Sequence, residues 1–221
     1  MGKALEKTAD VVIIGAGVMG TSTAYHLVKR GAGKVVVLEK NMIASGASAL
    51  SVGGIRLQFS SEANIRIMLE SIEVFEHFAE EMDQEIDFRQ YGYLFLTTDP
   101  QTWTDFQANV ALQRSLGVPV ELLSREEIAE RFPYLYVDDI IGGTFCPRDG
   151  YADPYSVNMG FAKQARRLGT LIYENTPATG IQVTGGKVVA VETPQGTIST
   201  PVVVNTAGAW AAEIGHMVGV E

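Results

Sequence analysis

The chain has 221 residues, of which 46% are hydrophobic and 19% charged, and it carries a formal net charge of −9. That length buries one substantial core or two modest ones, and the acidic balance argues against a nucleic-acid partner, which would need clustered Lys and Arg. No run approaches the roughly 18 apolar residues of a membrane span, and the single cysteine, Cys146, rules out an internal disulfide and fits a reducing cytoplasm.

The basic start leads directly into Val11–Ile14, so it reads as the approach to a first strand and not as a signal peptide. Val11–Ile14 lacks the alternation of a half-solvated strand and is expected to be parallel and buried. Gly15-Ala-Gly17-Val-Met-Gly20 follows. Gly15 permits a tight turn, Gly17 lets the backbone approach a pyrophosphate, and Gly20 lets a helix over residues 18–30 press on the strand with its positive end at the phosphates. A second strand, 35–39, ends at Glu39, where a carboxylate can accept hydrogen bonds from both ribose hydroxyls. Strand, glycines, helix, strand and acid in this order predict a dinucleotide site.

Residues 41–60 form a long loop of small residues, a length that is usually functional. Ile65, Met68, Leu69, Ile72, Phe75, Ala79 and Met82 keep helical spacing, predicting an amphipathic helix over 61–82 with a solvated acidic end. Shorter elements follow: a strand at 91–97, a helix at 100–116, a capping box of Ser124 and Glu127 opening a short helix, and a strand at 140–145. Asp153-Pro154 starts another helix, stopped at Gly169. Leu171–Tyr173 reads as a parallel strand. Three alternating strands then turn at Gly185-Gly186 and at 194–196, a β-meander. The apolar run 201–205 makes a last buried strand that enters Thr206-Ala-Gly-Ala-Trp210. His26, His77 and His216 have no metal-ligand spacing, and Cys146 is read as a small packing residue.

Glu39 by itself does not separate an NAD-dependent dehydrogenase from a flavoprotein. The loop at 41–60 is longer than the short turn usual in NAD folds, as if wrapping a longer ligand. The meander leading into residues 202–205 and Thr206–Gly208 is similar to that of two-dinucleotide-domain flavoproteins, whose final strand lays backbone against FAD.

Taken together, Val11–Gly20, Val36–Glu39, Ser45–Ser48, Gly54–Arg56, Tyr91–Leu94, Asp149–Pro154 and Asn205–Trp210 resemble the amine-oxidising flavoproteins of the D-amino-acid oxidase and glycine oxidase superfamily. The likeness is strongest to sarcosine oxidase β subunits and dye-linked proline dehydrogenases. The resemblance implies an α/β fold: a Rossmann-type FAD-binding domain with a β-meander, interrupted by a partial α+β substrate domain. The expected divisions are 1–85 and 151–221 for the FAD-binding domain and 86–150 for the substrate domain. It also implies an FAD-dependent oxidation of the CH–NH bond of a small amino acid or a secondary or tertiary amine (sarcosine, glycine, proline or dimethylglycine-like).

Carried over to this sequence, the resemblance sets Gly15, Gly17, Val18, Met19 and Gly20 at the pyrophosphate, with Glu39 and Lys40 at the AMP half. Ser45, Ala47, Ser48 and Gly53 belong to the loop along the pyrophosphate and ribityl chain. Ala178 matches the adenine edge, and Ala207, Gly208 and Trp210 the flavin side. Arg56 takes the place of an arginine that holds a substrate carboxylate, a role suited to its bidentate fork; an ordinary surface arginine is the alternative. Some relatives tether flavin through a histidine in the loop after Gly46, where this chain has Ala49, Leu50 and Ser51, so the FAD is expected to be non-covalent. Full-length members continue for a second half, so the chain is expected to be an N-terminal portion, inactive alone, with further subunits as candidate partners. Two other readings stay open: an NAD-dependent Rossmann dehydrogenase and a non-catalytic FAD-binding fragment.

Overall fold

The fold starts from apolar runs that cannot face water. A computed structural model describes residues 4–220; Met1 to Lys3 and Glu221 lie outside them. In chain order its first elements are β1 (Val11–Ile14), α1 (Val18–Lys29), β2 (Val35–Leu38), α2 (Ala47–Leu50), β3 (Gly54–Ile55), α3 (Glu62–Glu76) and α4 (Phe78–Met82). Next come β4 (Tyr93–Thr97), α5 (Pro100–Ser115), β5 (Glu121–Ser124), α6 (Arg125–Arg131), β6 (Gly142–Cys146), β7 (Gly150–Tyr151) and α7 (Pro154–Arg167). The last are β8 (Leu171–Tyr173), β9 (Gly180–Thr184), β10 (Lys187–Thr193), β11 (Gly196–Ser199), β12 (Val203–Asn205), a 3-10 turn (Gly208–Trp210) and α8 (Ala211–His216).

These elements form two units. The first contains the described residues up to Ser51, Met82–Gln84, and those from Pro154 onward. Its sheet is wholly parallel in the order β12-β1-β2-β8, so the expected return of residues 171–173 and 202–204 to the sheet of Val11–Ile14 is found, β8 beside β2 and β12, which starts at Val203, beside β1. Every residue of β1 and β2 is buried, which is why these strands read as continuous apolar runs. Alternate residues Val12, Ile14, Val36 and Leu38 share one core with Val191 and Ile198 of the antiparallel meander β9-β10-β11 and with Ile214 of α8. The α1 and α7 helices pack on each other, with the Tyr25 and Phe161 rings 5.9 Å apart.

The second unit comprises Val52–Glu81 and Glu85–Asp153. Its antiparallel sheet runs β4-β6-β5, and β3 pairs separately with β7. Leu123, Ile128 and Phe145 centre a core flanked by Leu94, Leu96, Phe132 and Ile140. The capping box is formed: Ser124 Oγ accepts the Glu127 amide at 3.2 Å, and Glu127 accepts the Ser124 amide at 2.7 Å.

Several sequence expectations shift. The helix expected over 61–82 is two helices separated by His77, whose amide closes the first on the carbonyls of Glu73 and Phe75. Beyond that break Phe78 and Met82 are fully buried. Residues 52–81 fall in the second unit, so the first division lies after Ser51 and not at 85. The cause is packing and charge: α3 packs on α5, and Arg148 grips Glu73 at 2.8 Å and Glu76 at 2.7 Å. Likewise residues 150–153 stay in the second unit, held by the β3–β7 pair and by the Asp153 amide on the Ile86 carbonyl at 2.7 Å. The β5 strand and the α2 turn were not expected. No helix of the described residues is long and apolar enough to cross a membrane.

Candidate cofactor site

The first unit contains a cavity of about 580 Å3, within the ~300–1,000 Å3 typical of ligand and cofactor sites. Its wall is built by the β1–α1 turn, the end of β2, the segment 44–51, Pro177-Ala178, and the stretch from Thr206 through Trp210 into α8. Of the residues assigned to a cofactor from sequence, Gly15, Gly17, Val18, Met19, Glu39, Lys40, Ser45, Ala47, Ser48, Ala178, Ala207, Gly208 and Trp210 all line it. Gly20 stands behind the wall, where a Cβ would collide with the Gly15 carbonyl. That contact gives it the close-packing role expected of the third glycine. Gly53 and Arg56 belong to the second unit.

The turn leaves no room for a side chain at Gly15 and little at Gly17. Gly15 sits at φ +107°, where a Cβ would lie 2.5 Å from the Thr206 carbonyl oxygen, and a Cβ on Gly17 would lie 3.2 Å from Ser48 Oγ. The first amides of a helix lack intrahelical acceptors. Ser48 Oγ takes the one at Val18, at 3.0 Å. The amides of Gly17 and Met19 have no protein acceptor among the described residues and stand at the cavity wall, where helix dipole and N–H groups favour an anion. Glu39 receives the Ala16 amide on Oε2 at 2.8 Å and the Asn41 amide on Oε1 at 2.9 Å. A carboxylate has about four acceptor positions, so two bonds to backbone leave it able to take ribose hydroxyls as well. Lys40 Nζ lies 3.2 Å from the centroid of the Trp210 ring, a cation–π contact between two cavity residues. Glycine cradle, unengaged helix amides and a partly used carboxylate fit a pyrophosphate-linked dinucleotide.

Sequence reasoning missed part of the wall. Thr206 donates its hydroxyl to the Ile14 carbonyl at 2.9 Å and thereby ties β12 to the glycine turn. Its signal was present, since it lies inside the matched Asn205–Trp210 stretch. Pro177, Asn41 and Met217 line the cavity with no local signal of their own.

In the second unit the Arg56 guanidinium lies over the Phe59 ring at 4.7 Å and the Phe95 ring at 5.5 Å. The backbone just beyond it is fixed by Asp149, which is fully buried and accepts the Leu57 amide at 2.7 Å and Gln58 Nε2 at 2.9 Å. Burial pushes the Asp149 carboxyl above its usual range, against the pull of those hydrogen bonds. Cys146 is also fully buried. Burial and the neighbouring Asp149 charge push its thiol up to about 12, so it is not a ready thiolate.

Residues 10–221 match the family model DAO, described as FAD dependent oxidoreductase. The chain is 36% identical over 214 residues to the mitochondrial dimethylglycine dehydrogenase of Rattus norvegicus, an alignment covering 96% of this chain and 25% of that protein. It is 32% identical over 222 residues to sarcosine oxidase subunit beta of Arthrobacter sp, covering 98% of this chain and 55% of that one. Among solved structures, L-proline dehydrogenase from P. horikoshii superposes with a TM-score of 0.91 at 37% identity, covering 98% of this chain and 57% of the other. The chain therefore spans about a quarter of the length of the dimethylglycine dehydrogenase it matches. It belongs to the DAO family of FAD dependent oxidoreductases, and FAD is the cofactor that this membership implies.

Proposed function

We propose that the chain is the FAD-binding part of an oxidoreductase that oxidises the CH–NH bond of a small amino acid or a secondary or tertiary amine. The carrying observation is the first-unit cavity, whose wall gathers the glycine turn, Glu39, Ser48, Ala178 and Ala207-Gly208 in one place. The Gly17 and Met19 amides would receive the pyrophosphate and Glu39 the adenosine ribose. Ala178 would border the adenine, with Ala207 and Gly208 along the flavin. When bound, FAD supplies the acceptor for the electron pair leaving the substrate. Dimethylglycine, sarcosine and proline, which appear in the names of the relatives, are all N-substituted amino acids, and this favours a substrate with both an amine and a carboxylate. Arg56 is our candidate for that carboxylate, because a guanidinium backed by aromatic rings and fixed backbone offers a planar, pre-set fork. FAD would be held without a covalent bond, since residues 46–53 contain no histidine. The name of the sarcosine oxidase subunit motivates a search for partner subunits.

The test is made on the full-length protein. Acid precipitation should leave all flavin in the supernatant, and anaerobic sarcosine, dimethylglycine or L-proline should bleach the bound flavin. Flavin in the pellet overturns the non-covalent assignment. Bound flavin that none of these amines bleaches overturns the substrate class.

A further inference from the structure

Two fully buried polar side chains stand behind the glycine turn, Thr21 on α1 and Asn158 on α7. Thr21 Oγ1 donates to Asn158 Oδ1 at 2.6 Å, and Asn158 Nδ2 donates to the Ala16 carbonyl at 3.2 Å. The Ala16 oxygen can only accept, so the amide must present its NH2 group there, and the Thr21 hydroxyl must then supply the proton to Oδ1. The same carbonyl receives the Ala44 amide at 3.2 Å, from a residue strained to φ +65°. On its other side the Ala16 amide is held by Glu39. Ala16 is thus held at its N–H, in the peptide group shared with Gly15, and at its C=O, in the peptide group that carries the Gly17 N–H.

Elsewhere the buried faces of α1 and α7 carry mainly small, aliphatic and aromatic residues (Ala24, Tyr25, Val157, Phe161, Ala162 and Ala165), and the other buried polar side chain, Gln164, is spent on the Met82 carbonyl at 2.6 Å. An apolar pair at 21 and 158 would suit such a surface, and burying polar groups carries a cost unless each is bonded. The bond that leaves Asn158 ends on the turn, and the Thr21 hydroxyl, whose proton goes to Asn158, also lies 3.2 Å from the Gly17 carbonyl oxygen.

We propose that Asn158, oriented by Thr21, is a positioning residue for the cofactor: it fixes the Ala16 peptide so that the following amides stay at the cavity wall. This inference rests on the FAD reading above. The test compares dissociation constants for FAD, by flavin fluorescence, and for ADP as a competitor sharing the adenosine diphosphate half. Asn158→Ala should weaken both ligands by about tenfold, the size of one lost buried hydrogen bond. Thr21→Val should weaken them in the same direction, and Thr21→Ser, which keeps the hydroxyl, should restore wild-type affinity. Val157→Ala, a buried truncation next door, should lower Tm while leaving FAD affinity within about twofold. If Asn158→Ala does not fold, the Thr21→Val and Thr21→Ser pair decides. Wild-type affinity in Thr21→Val, or an equal loss in Val157→Ala, overturns the inference alone. A wild-type protein that does not bind FAD overturns the cofactor reading and this inference with it.

Discussion

In both units carboxylates fix loops by accepting backbone N–H groups, and Glu39 and Asp149, one from each unit, differ in what else they meet. Glu39 in the first unit ends β2, holds the amides of Ala16 and Asn41, and lines a cavity. Asp149 in the second is fully buried, holds the Leu57 amide and Gln58, and meets only protein. Gln58 passes the connection on, donating to the Tyr93 carbonyl at 3.0 Å and accepting the Thr144 hydroxyl at 2.6 Å. On the proposed function, the same device would serve binding where a side of the carboxylate stays open, and it serves folding where it is sealed. A charge in the sealed position needs all of its partners.

Substitutions can break that contrast. The largest expected effect on stability is Asp149→Asn, which sets an NH2 group against the donors at Leu57 or Gln58. It should destabilise the protein by about 2–3 kcal/mol in denaturant melts while leaving FAD affinity unchanged. Glu39→Gln should do the reverse, weakening FAD by about tenfold through loss of a charge-assisted acceptor, with a smaller change in Tm. Equal stability losses in the two variants would dissolve the distinction.

A pH series sharpens it. The folded Asp149 carboxyl is raised above its ordinary 3.8, so the folded state binds its proton more tightly than the unfolded chain does. Its contribution to stability is therefore fully present below that value and is lost as pH rises through the folded pKa. The stability gap between wild type and Asp149→Asn should widen as pH falls from neutrality, and a gap that narrows would contradict the sealed environment. The smallest effect is expected at the surface. Burial disfavours ionised Glu76, yet hydrogen bonds from Arg148 and Gln90 hold its carboxyl below the ordinary 4.5. Arg148→Ala should cost about 1 kcal/mol or less at neutral pH, and that cost should fade as pH drops below the Glu76 pKa.

Much of the first unit was legible because its signals are local. Val11–Ile14, the glycines, the helix behind them and Glu39 each state their role within a few residues; the apolar runs at β8 and β12 mark real strands, but these flank the sheet half-buried and not sealed on both faces as the run at 201–205 suggested. The second unit is made by distant contacts. Nothing near His77 in sequence announces the break between α3 and α4, and α3 joins its unit by packing on α5, with Arg148 reaching it from more than seventy residues away. The first boundary was misplaced for that reason. In the site, the lining residues that carry a motif were found, whereas Asn158 reaches the turn from a helix whose apolar stripe gave no hint of a polar task.

On the proposed function, the first-unit cavity is an FAD site organised by the glycine turn and Glu39. Equilibrium dialysis of the protein against FAD and against NAD, with Glu39→Gln in parallel, tests it most directly. One FAD per chain is expected, retained in competition with excess NAD and weakened in the variant. Preferential binding of NAD, or FAD binding indifferent to Glu39, would contradict it.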